Sequence, residues 1–318
     1  MLIYKIKKTY AALLILSLFS IHSFAGACPP SLGTWMSDHY NEIKDKKLTE
    51  LSIPGSHDAG MYKAHSCTRK KFHGVFVGPT DCNTKTQSLD IAGQLRCGSR
   101  YFDFRPVFTK STAIFDIGHF SKTNDTLGIM GCLGGSLDDI LQDIYDFSRL
   151  NPQELIIIQF SHYYDKEKDS FGFSHDIENN LTNLVSTKLD SVLVKSSVDL
   201  NLLKMNYDSI INHGNVIALF HNVHTHWTKG ILGDGELPIF DEYSNTSIYW
   251  EMEKNQLKKL DQNSSKSYRL FLLSWTLTLN KEQAATCAAV LGLSIKTLSE
   301  VANIDLNKVI KKQNQLNK

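Results

Sequence analysis

Two kinds of apolar pattern divide this chain. In residues 137–147, Leu137, Ile140, Leu141, Ile144 and Phe147 recur at spacings of three and four, behind Ser136 and with acidic residues in the first turn. That spacing predicts an amphipathic helix with an N-terminal cap. Residues 155–160, 215–220 and 269–277 are instead short, nearly continuous apolar runs, the pattern of strands buried on both faces of a parallel sheet. Residues 100–105, 113–119 and 237–241 predict further strands, and residues 87–95, 175–194, 250–260 and 281–291 predict helices. After Asp305 the spacing of Leu306, Val309 and Ile310 stays helical. Strands alternating with helices, with no internal repeat and no linker, predict a single α/β domain. Two stretches lack sustained periodicity: residues 61–93, expected to be a long ordered loop after the first strand, and residues 118–135, expected to be loop-rich. Long ordered loops in compact domains usually carry function.

Chemistry concentrates where the apolar runs stop. Leu51, Ser52 and Ile53 lead into Pro54 and Gly55, and His57 and Asp58 follow. Side chains alternate along an extended backbone, so these two are expected to serve different partners. Residues 100–105 read Arg-Tyr-Phe-Asp-Phe-Arg, which sets Asp103 and Arg105 on one face and leaves Arg100 as a surface charge at the strand's start. The run at 113–119 ends in His119. Residues just past the carboxyl ends of strands line the ligand site of an α/β barrel. Two imidazoles and a guanidinium gathered there suit cleavage of a phosphodiester. One ring takes a proton from the attacking hydroxyl, the other protonates the leaving oxygen, and the guanidinium stabilises charge on the phosphoryl oxygens.

Export and charge narrow the setting. Lys5, Lys7 and Lys8 precede an apolar run and Ala25-Gly26-Ala27 offers a small-residue cleavage site, so residues 1–27 are expected to be a signal peptide and the protein secreted or periplasmic. A lipid anchor at Cys28 is disfavoured by Ala25, where a leucine is usual. A net charge of +1 and a pI near 7.7 give no field that would favour nucleic acid. Six cysteines in an exported chain imply disulfides, with 15 complete pairings available to six thiols. Cys67 with Cys82 and Cys97 with Cys132 are the favoured pairs. The absence of a Cys-x-x-Cys pair argues against structural zinc. His221, His224 and His226 are expected to rim the pocket rather than bind metal, and Trp227 and Trp275 to pack in loops or core.

The pieces IPGSHD at 53–58, QLRCGSRYFDFR at 94–105, His119, and NPQELIIIQF at 151–160 stand in the order found in the PI-PLC X-domain phosphodiesterases. The chain resembles that family over residues 49–165, and within it the secreted, metal-independent bacterial phosphatidylinositol-specific phospholipases C. The resemblance implies a distorted TIM-type (β/α) barrel over residues 28–318 that needs no metal or cofactor. It implies His57 as general base, His119 as general acid oriented by Asp58, and Arg105 on the phosphate. The substrate is expected to be a phospholipid at a membrane surface, phosphatidylinositol or a related glycolipid, cleaved to a cyclic inositol phosphate by a protein taken to be monomeric.

Asp103 is expected either to contact substrate or to hold Arg105. His162 is expected to fill a substrate contact where metal-independent relatives carry a lysine. The family's last strand, with an aspartate holding the general base, has no counterpart after Asp305, so the barrel is expected to lack that strand. These two departures keep other readings open: a weakly active or inactive lipid-binding module, or a metal-dependent glycerophosphodiester or sphingolipid phosphodiesterase.

Overall fold

A computed structural model describes residues 28–123, 126–195, 201–223, 229–263, 266–287 and 294–316. The expected signal segment, His224, His226 and Trp227 lie outside those residues, as does the end of the expected 281–291 helix. Five parallel strands pair in sequence order: β1 (Gly55–Ser56), β2 (Tyr101–Phe104), β3 (Ile156–Phe160), β4 (Val216–Phe220) and β5 (Ile231–Gly233). Two more, β6 (Ile239–Asp241) and β7 (Leu270–Leu272), pair parallel with each other. Helices Ile91–Arg96, Leu137–Leu150, His175–Lys188, Tyr207–Ile211 and Tyr249–Asn263 fall between the strands. This is a distorted TIM-type barrel.

Strand periodicity sorts the core into two layers. Phe102, Phe104, Ile156, Ile158, Phe160 and Phe220 pack with the helix residues Ile140, Leu141 and Ile144. The alternate residues Tyr101, Ile157, Ile217 and Leu219 pack with Leu232 of β5 and with Leu270 and Leu272 of β7. Side chains from all these strands thus fill one interior. Among the described residues no ladder joins β5 to β6 or β7 to β1, so the barrel is not closed by strand pairing. Along β2 the interior-facing row goes from Tyr101 to Asp103, and along β3 it ends at Gln159. The carboxyl end of the barrel is therefore polar.

Several expected elements differ. Residues 269–277 form a strand only over Leu270–Leu272, because β6 offers just three pairing residues. Residues 118–135 are mostly strand. Ile114–Lys122 and Ile129–Ser136 form a long antiparallel hairpin in a second sheet. Their glycines mark close approach rather than turns, since a Cβ on Gly131 would lie 2.1 Å from the His119 carbonyl oxygen. The 61–93 loop contains a small hairpin, Lys70–Phe72 with Val75–Val77, and a short helix, Asp81–Thr84.

The disulfides are Cys28–Cys97, Cys67–Cys132 and Cys82–Cys287, so both favoured pairings are wrong. Cys67 meets Cys132 because the 65–68 segment runs along the Ile129–Ser136 strand, bonding Leu133 through His65 and Gly131 through Thr68. Arg100 is no surface charge. It is fully buried, bonded through Nε and Nη2 to Glu154 at 2.9 and 2.7 Å and through further NH groups to the carbonyls of Gly33, Leu95 and Ser99. Glu154 also accepts from the backbone and hydroxyl of Ser37. Guanidinium and carboxylate are each saturated, as a buried ion pair requires.

Candidate active site

Asp58 is where alternation fails. Its φ is +46°, a left-handed conformation that Asp tolerates better than most residues, so the chain folds back and the side chains of His57 and Asp58 converge. His57 Nε2 lies 3.4 Å from Asp58 Oδ2, against the expectation that the two serve separate partners. Neighbours fix the backbone here: Gln87 donates to the His57 carbonyl, Thr86 to that of Asp58 and Gln94 to that of Ala59.

Four expected residues meet around this carboxylate. Arg105 Nε lies 2.5 Å from Asp58 Oδ1, and His119 Nδ1 lies 3.7 Å from Asp58 Oδ2. Arg105 Nη2 stands 3.5 Å from His57 Nε2. Asp103 Oδ2 lies 3.1 Å from His57 Nδ1 and 3.8 Å from Arg105 Nη2. Here it has the geometry of a partner to His57 and Arg105. His162 joins at the edge: its Nδ1 bonds Ser161 Oγ at 2.8 Å, and that hydroxyl donates to Asp103 Oδ1 at 3.4 Å.

Two features escaped the sequence. His119 Nδ1 is closest to the carbonyl oxygen of Thr84, at 3.3 Å. A backbone acceptor leaves no mark in side-chain identity. Asp241 and Tyr243 act electrostatically on Arg105, and Ser274 donates to Asp241 at 3.0 Å. Asp241 ends an apolar run just as His57 and His119 do, and that was the available signal.

Electrostatics separate the two rings. Burial opposes charge on His57, but Asp58 and the hydrogen bond to Asp103 outweigh it and raise its pKa above 6.5. Burial lowers the pKa of His119, Arg105 and His57 lower it further, and Asp58 only partly offsets them. Asp103 is held well below the usual carboxylate range, because its bond to His57 and the charge of Arg105 overcome burial. Asp58 is lowered too, as Arg105 and both histidines overcome its burial. Burial and Arg105 lower His162.

His57, Asp58 and Asp103 offer three ligand atoms within 4.8 Å of one another. The Arg105 guanidinium already lies against both carboxylates, so a cation there would sit beside a fixed positive charge. The donor set fits a guanidinium-centred site better than a metal-centred one.

Fold and site define an α/β barrel whose imidazole, carboxylate and guanidinium groups converge at the carboxyl end of the strands. No family model matches the sequence. A PI-PLC X-box domain-containing protein of Dictyostelium discoideum is 29% identical over 151 residues, 45% of this chain and 18% of that protein. A second PI-PLC X domain-containing protein of that organism is 25% identical over 313 residues, covering 89% of this chain and 51% of its own length. PI-PLC X domain-containing protein 3 of Mus musculus is 24% identical over 200 residues, 58% of each chain. The chain thus spans from under a fifth to somewhat over half of these relatives. Among solved structures, a pentafluoro-Phe-containing phosphatidylinositol-specific phospholipase C of Staphylococcus aureus superposes with a TM-score of 0.58 at 19% identity, covering 89% of this chain and 87% of that one. The chain is thus similar in sequence to PI-PLC X-domain proteins and in fold to the bacterial phospholipase C.

Proposed function

We propose that this protein is an exported phosphodiesterase of the phospholipase C type, acting on phosphatidylinositol or a related glycolipid. His57 accepts the proton of a substrate hydroxyl as its oxygen attacks phosphorus. The bond from phosphorus to the diacylglycerol oxygen breaks, and His119 protonates that oxygen, leaving a cyclic phosphodiester. Arg105 stabilises the charge on the phosphoryl oxygens during transfer. The observation that carries this is the sharing of Asp58: both rings and the guanidinium lie within 3.7 Å of its two oxygens, close enough to act on one phosphorus. Three disulfides support an oxidising compartment. Among the described residues no helix is long and apolar enough to cross a membrane.

The opposed pKa directions of the rings favour a second assignment, His119 as base and His57 as acid. A leaving-group experiment separates the two. With an aryl leaving group that needs no proton, the variant lacking the general acid regains activity and the variant lacking the base does not. Rescue of His119→Ala supports the first assignment and rescue of His57→Ala the second.

The overall test is incubation of the purified mature protein with phosphatidylinositol and with other phospholipids, with and without chelator, followed by identification of the soluble product. A cyclic inositol phosphate formed in chelator is the expected result. Vesicle binding without product would select the lipid-binding module, and loss of activity in chelator the metal-dependent reading.

A further inference from the structure

His119 takes its backbone position from the Ile114–Lys122 strand, where it stands opposite Cys132. Strand register fixes a Cα, but the ring can still turn about its side-chain bonds. Two acceptors meet its Nδ1: the Thr84 carbonyl at 3.3 Å and Asp58 Oδ2 at 3.7 Å. A proton held between them keeps Nδ1 as the donor and leaves Nε2 as the nitrogen that can exchange a proton with substrate. The place of Thr84 therefore bears on the chemistry of the ring.

Thr84 ends the helix Asp81–Thr84, which is a single turn. A turn of that length has almost no stability alone, so its position comes from contacts with the rest of the chain. Its cap is internal: the Thr80 backbone NH donates to Asn83 Oδ1 at 2.9 Å and Thr84 Oγ1 to the Thr80 carbonyl at 2.7 Å. Two of its outward ties go to the segment that follows β7. Cys82 is bonded to Cys287, and Asn83 Nδ2 donates to the Ala284 carbonyl at 3.3 Å. Ala284 belongs to helix Lys281–Thr286, and helix Ile295–Leu316 also lies beside the turn. The segment is itself anchored in an apolar cluster, where Phe271, Trp275 and Leu277 pack with Ala302 and Leu306. There Trp275 Nε1 donates to the Ala302 carbonyl at 2.9 Å. Among the described residues no ladder joins β7 to β1, so these ties bridge an interval that strand pairing leaves open.

We propose that Cys82, Cys287 and Asn83 are positioning residues for His119: through the Thr84 carbonyl, the helices after β7 hold the ring in the tautomer and orientation that proton transfer needs. The inference rests on the phosphodiesterase reading for its effect on turnover, but the state of the ring can be read without substrate.

The experiment compares the full mature protein with two variants, Cys82→Ser with Cys287→Ser, and Asn83→Ala, which leaves the disulfide in place. The readout is NMR titration of isotope-labelled imidazole rings. In the wild type the neutral His119 ring is expected to carry its proton on Nδ1. In the double variant the proton should move toward Nε2, and the ring should titrate at lower pH, because the Thr84 bond favours its charged form. Asp58, Arg105 and His57, the charged groups that act on the ring, are the same in both variants. Asn83→Ala should move both readouts the same way by less. Turnover of phosphatidylinositol should fall about tenfold to a hundredfold in the double variant, the scale of a misplaced catalytic group, with KM little changed. Cys28→Ser with Cys97→Ser is the control: it should lower the thermal midpoint without moving the tautomer or titration of His119. An unchanged ring in both test variants would overturn the proposal. So would an equal change in the control, which would mark general loosening of the fold. A wild type inactive on every phospholipid would sink the phosphodiesterase reading, and the ring measurement would still decide the brace.

Discussion

His57 donates its Nδ1 proton to Asp103 Oδ2 at 3.1 Å, across adjacent parallel strands whose register sets Ser56 opposite Phe102. The carboxylate beside this ring therefore comes from the adjacent strand β2. Asp103→Asn removes the negative charge that holds the imidazolium, so the His57 pKa should fall, as read by NMR titration of the ring. Turnover should drop on the order of 10²–10⁴-fold with little change in thermal midpoint. An unchanged His57 titration would show that Asp103 does not orient the ring.

Arg105 faces two carboxylates through different nitrogens, Nε to Asp58 and Nη2 to Asp103. Lysine keeps the charge but not the fork. Arg105→Lys is expected to lower kcat about 10²–10³-fold, the range for loss of one preorganised electrostatic contact, while KM changes much less. Steady-state kinetics on the folded variant check this, and a pure KM effect would place Arg105 in ground-state binding only.

Asp58 and Asp103 are both held below their ordinary pKa. Such groups add stability that is complete above the unfolded-state value, about 3.9, and is lost as pH falls through the folded values. His57 is raised, so its contribution is complete below about 6.5 and fades as pH rises through its folded value. Urea midpoints measured from acid to neutral pH should therefore fall on the acid side, and Asp58→Asn should flatten that fall. An unaltered acid slope in the variant would contradict the coupling.

Arg100 and Glu154 form an ion pair with no exposed surface on either side chain. Removing one partner strands a buried charge, at a cost of about 3–5 kcal/mol. Glu154→Ala should lose that much stability in chemical denaturation, while the fraction that still folds keeps its turnover. A loss below 1 kcal/mol, well under the cost of an unpaired buried charge, would mean that solvent reaches the pair.

Much of this could be read from residue order. The Leu137–Leu150 helix and strands β3 and β4 announced themselves by period and apolar run, and His57 and Arg105 by their place at strand ends, whereas His119, expected at a strand end, lies within the Ile114–Lys122 strand. What stayed hidden depends on contacts distant in sequence. Arg100 looked like a surface group because Glu154 lies 54 residues away. The disulfide partners follow from a loop running antiparallel beside a strand. The convergence of His57 with Asp58 follows from one positive φ, which no pattern of polarity encodes. Glycines at 118, 131, 134 and 135 looked like loop residues because sequence alone does not separate flexibility from want of space.

Cys82 and Cys287 are separated by 205 residues. In a chain made amino end first, that bond cannot form until 205 further residues, ending at Cys287, have been added. Until then the segment bearing Thr84 is held without that covalent tie, by hydrogen bonds such as those of Thr86 and Gln87 to His57, Asp58 and Met61. A chain interrupted before Cys287 could still pair all five strands of the main sheet, yet would leave the neighbour of His119 without its cross-link.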